Sequence, residues 1–168
     1  LVHMGNVYAR LLDGDQALEC LDLLARSCVK NNFYTTHNDW RSMGIGVEME
    51  WAPFQIDANM GLSATIHQMM MNSRTGHISI LPALPSKWRK GSIKGLMARG
   101  KISVSIWWDL DGKGLIEVEM CSLDKAQEIS VLFTTGSEHR MNVQLEADTI
   151  KRLNVNVNDA GKLAVELA

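Results

Sequence analysis

Ile102-Ser103-Val104-Ser105-Ile106-Trp107-Trp108-Asp109-Leu110-Asp111-Gly112-Lys113-Gly114-Leu115-Ile116-Glu117-Val118-Glu119-Met120-Cys121 alternates apolar and polar side chains, breaks, and alternates again. Successive side chains of a strand point to opposite faces. A period of two therefore puts Ile102, Val104, Ile106 and Trp108 on one face, and Ser103, Ser105 and Trp107 on the other. Ile116, Val118 and Met120 repeat the pattern against Glu117, Glu119 and Cys121. Asp109 to Gly114 joins the two runs as a hairpin turn. Similar runs follow at 129–133, 141–145, 153–157 and 163–167. Six or more short strands from His77 onward, with no helix between them, predict an antiparallel β-sandwich.

Upstream the period is helical. Leu1 to Leu12 reads as one helix, Asp13-Gly14-Asp15 as a tight turn, and Asp15 as the N-cap of a second helix starting at Gln16. Ala17, Leu21, Leu24 and Cys28 share one face of that helix, widened by Leu18 and Ala25. It is expected to end near Lys30, where Asn31-Asn32 breaks the run, giving an αα-hairpin. A third helix is expected from about Gly61 to Ser73, with Leu62, Ile66, Met69 and Ser73 on one stripe and Gly76 in its C′ region. Met69-Met70-Met71 reads as core filler. The chain is thus an α+β molecule in two parts, residues 1–75 helical and 76–168 a sandwich.

Composition excludes several function classes. The 168 residues are 46% hydrophobic and 21% charged, enough apolar material for a core. Seventeen basic against 19 acidic residues, a formal net charge of −2, give no electrostatic footprint for nucleic acid or an anionic membrane. No apolar run approaches the roughly 20 residues of a membrane span. Cys20 and Cys28 lie eight apart on one helix, about 12 Å along its axis, too far to bridge. With Cys121 they read as free thiols, and no Cys/His spacing suggests a metal. No cofactor is indicated. A chain opening on Leu1, already in helical pattern, reads as a piece of a longer protein, and its sequence names no compartment.

Between Asn31 and Gly61 the period disappears. An aperiodic stretch of about thirty residues inside a compact domain is usually functional. It contains Trp51-Ala52-Pro53-Phe54-Gln55-Ile56-Asp57-Ala58-Asn59-Met60. If extended, this run points Gln55, Asp57 and Asn59 to one side, with Ile56 and Ala58 behind. Asp57 then acts as a base or orients one; alternatively, it or Asn59 caps the following helix. Thr35-Thr36-His37-Asn38-Asp39-Trp40-Arg41 reads either as a sugar-binding wall, with His37, Asn38 and Trp40 contributing, or as a local Asx-turn network. Glu48 and Glu50 read as a solvated strand edge rather than a carboxylate pair. Asp109-Leu110-Asp111-Gly112 lacks the later ligands of a calcium loop and reads as a turn. Lys87-Trp88-Arg89-Lys90 reads as a solvated loop. His3, His67, His77 and His139 are isolated.

Three blocks then carry a resemblance. They are Pro53-Phe54-Gln55-Ile56-Asp57-Ala58-Asn59-Met60-Gly61, Gly76-His77-Ile78-Ser79-Ile80-Leu81-Pro82-Ala83-Leu84-Pro85 with Trp88, and Gly91-Ser92-Ile93-Lys94-Gly95-Leu96-Met97-Ala98-Arg99-Gly100. In order and spacing they resemble the C-terminal part of glycoside hydrolase family 95, the inverting 1,2-α-L-fucosidases and related α-L-galactosidases. The resemblance implies that residues 1 to about 75 are the last helices of an (α/α)6 barrel and that the remainder is the sandwich following it. It implies hydrolysis of an α-L-fucosidic bond with inversion, through a Glu acid and a water activated by Asn side chains that an Asp polarises. That Asp corresponds to Asp57. Gln55, Asn59 and Trp51 come with it as substrate-binding candidates, beside His37, Asn38 and Trp40. The acid and the activating Asn residues have no matching motif here, so this chain alone is expected to be inactive. Its partners would be an oligosaccharide and the rest of the barrel. Ala58, Met60 and Trp51 depart from the family pattern, and the departure at Trp51 leaves the choice between fucose and galactose open.

A rival reading makes the sandwich a non-catalytic carbohydrate-binding module, using Trp88, Trp107 and Trp108. Alternation puts Trp108 in the core and Trp107 outside, where it can meet a sugar.

Overall fold

A computed structural model describes residues 1–44, 51–135, 138–157 and 163–167. Glu48 and Glu50 lie outside the described residues. Three helices, α1 (Val2–Arg10), α2 (Gly14–Ser27) and α3 (Ile56–Met70), precede nine strands.

α1 and α2 form the expected hairpin, but the cap is two residues earlier than expected. Leu12 takes a left-handed φ of +64°, and Asp13 N–H donates to Tyr8 O at 3.0 Å, so the chain reverses before Gly14. Asp13, not Asp15, is the N-cap, its Oδ1 accepting from Gln16 N–H at 3.0 Å. The carboxylate of Asp15 instead accepts from Ser86 N–H at 2.8 Å and Ser86 Oγ at 2.9 Å, tying α2 to the β half. Gly14 has a steric reason: a Cβ there would sit 2.3 Å from Ala83 O. α2 also stops short of Lys30, because Cys28–Lys30 turns to pair with Tyr34–Thr36.

The third helix is shifted from expectation by five residues at its start and three at its end. Gln55 is its N-cap position, and Ala58 and Asn59 N–H both donate to Gln55 O. Its end is set by Leu81 N–H on Met70 O at 2.8 Å and Ala83 N–H on Met69 O at 3.1 Å. The carbonyls left over at a helix C-terminus are thus taken by the Leu-Pro-Ala-Leu-Pro segment. Gly76 is not a helix terminator. At φ +71° it makes the turn between β1 (Met71–Arg74) and β2 (His77–Ile80).

The remaining strands are β3 (Lys90–Ala98), β4 (Ile102–Asp109), β5 (Leu115–Ser122), β6 (Gln127–Phe133), β7 (His139–Leu145), β8 (Ile150–Val157) and β9 (Leu163–Leu167). They form two sheets, ordered β1-β2-β6-β7 and β3-β4-β5-β8-β9. One pair departs from the antiparallel expectation: β2 runs parallel to β6, with His77 opposite Ser130 and Ile80 opposite Phe133. Ile78, Ile80, Ile129, Val131 and Phe133 of one sheet and Val104, Ile106, Ile116, Val118 and Met120 of the other belong to one core. Trp108 is buried with them and donates its indole N–H to Trp88 O at 2.7 Å, whereas Trp107 faces outward, half-buried. Met69, Met70 and Met71 are fully buried where helices meet sandwich, as their unbranched chains suit an irregular junction. Cys20, Cys28 and Cys121 are free. No helix among the described residues is long and apolar enough to cross a membrane.

Candidate functional site

The segment at Thr35-Thr36-His37 is threaded between two short pieces of chain. On one side Thr36 N–H donates to Cys28 O at 3.1 Å, and Lys30 N–H to Tyr34 O at 2.9 Å. On the other, Gln55 N–H donates to Thr35 O at 2.9 Å and His37 N–H to Pro53 O at 3.2 Å. The rings of Tyr34 and Phe54 stack at 4.3 Å across the same junction. Asn59 completes the clamp: its Oδ1 accepts from Thr35 N–H at 3.2 Å, and its Nδ2 donates to Phe33 O at 2.7 Å. A backbone otherwise without regular partners is thereby satisfied and held to the first turn of α3.

This clamp shapes a concavity of about 400 Å³ on the helical half. Its floor and rim come from the start of α1 (Val2, His3), the end of α2 (Leu24, Cys28), Thr35 to His37, and Gln55, Asp57 and Ala58. α1 reaches the rim because Gly61 has no side chain; a Cβ there would sit 2.8 Å from Val2 Cγ2. Asn6 Nδ2 fixes the same crossing by donating to Thr65 Oγ1 at 2.8 Å. Asp57 lies in the first turn of α3, exposed, beside exposed His37 and half-buried Gln55. A carboxylate, two imidazoles, a carboxamide and two hydroxyls around one hollow can orient a hydroxylated ligand and hold a water for attack.

The structure brings together Asp57, Gln55 and His37 from the sequence-derived candidates. It separates the others. The extended reading of 55–59 is overturned, since residues two apart on a helix point about 200° apart; Asp57 faces the hollow while Asn59 turns in to the Phe33–Thr35 backbone. Asn38 is half-buried, its carbonyl accepting from Thr36 Oγ1 at 3.2 Å, and does not line the hollow. Trp40 sits at the end of α2, its indole N–H on Val29 O at 3.2 Å and the Arg41 guanidinium 4.3 Å over its ring. Arg41 in turn donates to Ala25 O and Arg26 O, the open carbonyls of α2. Trp51 is 85% exposed and also outside the lining. His3, Thr35 and Thr36 were missed as lining residues. The threonines carried a signal in their position within the polar run, whereas His3 comes close only through tertiary folding.

The other polar motifs are accounted for locally. Arg89 pairs with Asp111 at 2.9 Å and Lys90 with Asp109 at 2.8 Å, so two of the three cations in the basic run 87–90 are matched by the turn 109–112. Lys90 and the Gly112 N–H hold the Asp109 carboxyl below its ordinary range.

The molecule is thus a set of helices carrying a polar hollow, joined to a two-sheet sandwich through a Leu-Pro-Ala-Leu-Pro wedge. Residues 1–70 match the model of the glycosyl hydrolase family 95 catalytic domain, and residues 72–166 that of the family 95 C-terminal domain. The chain belongs to glycoside hydrolase family 95. The break between the two matches falls where α3 gives way to β1. Among similar proteins, Alpha-L-fucosidase 2 of Arabidopsis thaliana is 51% identical over 57 residues, 33% of this chain and 7% of that protein. Probable alpha-fucosidase A of Aspergillus niger is 35% identical over 83 residues, 43% of this chain and 10% of that protein. The protein of that name from Aspergillus oryzae is 39% identical over 69 residues, 35% of this chain and 10% of its own. The chain thus spans a tenth or less of the curated relatives it matches.

Proposed function

We propose that the protein is the C-terminal part of an inverting α-L-fucosidase, dividing near residue 75 into the last helices of an (α/α)6 barrel and a β-sandwich. The carrying observation is that Asp57, His37 and Gln55 share one hollow on the helical half. Asp57 is the acidic group on the water side of the sugar: it polarises the group that activates the attacking water, while a Glu from elsewhere in the parent protonates the leaving oxygen. Inversion needs the acid and the water-activating group on opposite faces of the ring, and only the latter side is supplied here. Gln55 and His37 take sugar hydroxyls. Asn59 acts through the backbone it clamps and is a positioning residue. Trp40 and Trp51 lie outside the hollow, and any sugar contact they make is with a longer glycan leaving it.

The barrel reading is supported by apolar side chains left at the surface of the helices, among them Met4, Val7, Ile56 and Met60, and by Leu11 and Leu12 just after α1. Such a face suits further helices. The test is proton NMR of 2′-fucosyllactose hydrolysis by the full-length enzyme. β-L-Fucose is expected to appear first, with no hydrolysis by the 168-residue chain alone. First release of the α-anomer, or turnover by the isolated chain, contradicts the proposal.

A further inference from the structure

The outward face of the sheet β3-β4-β5-β8-β9 carries a second concave surface. The register puts Ser92 opposite Trp107, Trp107 opposite Glu117, and Glu117 opposite Asn154. Strands lie about 4.8 Å apart, so a hydroxyl, an indole, a carboxylate and a carboxamide form one row roughly 14 Å long. Two hollows flank it, one of about 410 Å³ reaching Ser92, Asp109 and Lys113, the other of about 150 Å³ reaching Glu119, Arg152 and Asn154. Both are lined by Trp107 and Glu117. The Lys94 ammonium lies 5.4 Å from the Trp107 ring centroid on an exposed side chain. It sits at the bulge in β3, where Gly95 has φ +68°.

The charges of this surface are largely spoken for. Lys90 pairs with Asp109 at 2.8 Å and Arg152 with Glu119 at 2.8 Å. In the larger hollow Lys90 and Lys113 balance Asp109 and Glu117, leaving no net charge. An ionic ligand gains little there, and an apolar one would bury Glu117 without a partner. A neutral molecule with an apolar C–H face and a rim of hydroxyls satisfies both conditions.

We propose that this row is an accessory glycan-binding surface, on which Trp107 stacks against a pyranose ring while Ser92, Glu117 and Asn154 take its hydroxyls. It rests on the reading that the parent enzyme acts on glycans, and adds a place where the glycan is held away from Asp57. The test is titration of the ¹⁵N-labelled chain with 2′-fucosyllactose, lactose and cellotetraose. The Trp107 indole N–H is followed, assigned by its loss in Trp107→Phe. At least one sugar is expected to shift that signal to saturation. Trp107→Ala should weaken binding about tenfold, the factor that roughly 1.4 kcal/mol represents, and Glu117→Gln should weaken it with the spectrum otherwise unchanged. An unmoved indole signal with all three sugars, or wild-type affinity in both Trp107→Ala and Glu117→Gln, overturns the proposal. Neither readout uses turnover, and Asp57→Asn should leave the Trp107 shift unchanged, so failure of the catalytic reading and failure of this surface are read separately.

Discussion

Asn59 shows how one side chain converts an aperiodic loop into a rigid wall. Its carboxamide accepts from Thr35 N–H and donates to Phe33 O, two backbone groups for which neither helix nor sheet supplies a partner. Phe33 itself takes φ +62°, a conformation that needs such support. Asn59→Ala should cost about 0.5–1.5 kcal/mol, the net worth of an ordinary hydrogen bond, since Thr35 N–H is part-buried while Phe33 O, on an exposed residue, can turn to water; denaturant unfolding measures this. Asn59→Asp, which keeps the acceptor and loses the donor, should fall between. A stability unchanged by Asn59→Ala would mean the clamp is incidental. The polar character of 55–59 was legible because Gln, Asp and Asn between aromatics have little use on a plain connector. Their facing was not. Asp57 and Asn59 share a side only in an extended chain, and the helix start at Ile56 carries no sequence signal because Gln55 is not a capping residue type and makes no side-chain cap bond.

At the scale of elements, the strands with strict alternation were readable and those without it were not. β4 and β5 alternate along their whole length, and their inward residues are the buried ones. β1 is only four residues long and follows a methionine run that continues the helical pattern equally well. β3 has a bulge between Ile93 and Leu96 that breaks its period. The parallel pairing of β2 with β6 depends on which strands become neighbours, and alternation says nothing about that. The join between helices and sandwich rests on Gly14, Asp15 and the Leu81–Ser86 segment. Ala for Gly in a helix ordinarily gains up to about 1 kcal/mol. At position 14 the sign should reverse, because the new Cβ meets Ala83 O at 2.3 Å. We expect Gly14→Ala to lower stability by about 1–3 kcal/mol, as overpacking does. A raised Tm would show that the wedge does not press on α2.

For the molecule as a whole, the two parts differ in how completely they bury themselves. The sandwich core is closed, with Val104, Ile106, Ile116, Phe133 and Val155 at zero exposure. The helices leave Leu11 at 69%, Met60 at 65% and Ile56 at 57% exposed. Large apolar side chains left in water favour association, so the isolated chain should self-associate with concentration in light scattering. A monodisperse monomer would count against a face meant for further helices. The account as a whole depends on what Asp57 does in the hollow it shares with His37 and Gln55. The most direct measurement is steady-state hydrolysis of 2′-fucosyllactose by the full-length enzyme and its Asp57→Asn variant, the variant first shown to fold. We predict that kcat falls about 10²–10⁴-fold, the usual contribution of a positioned acid–base group, while KM changes by a few-fold at most. An Asp57→Asn enzyme with wild-type kcat would contradict the account.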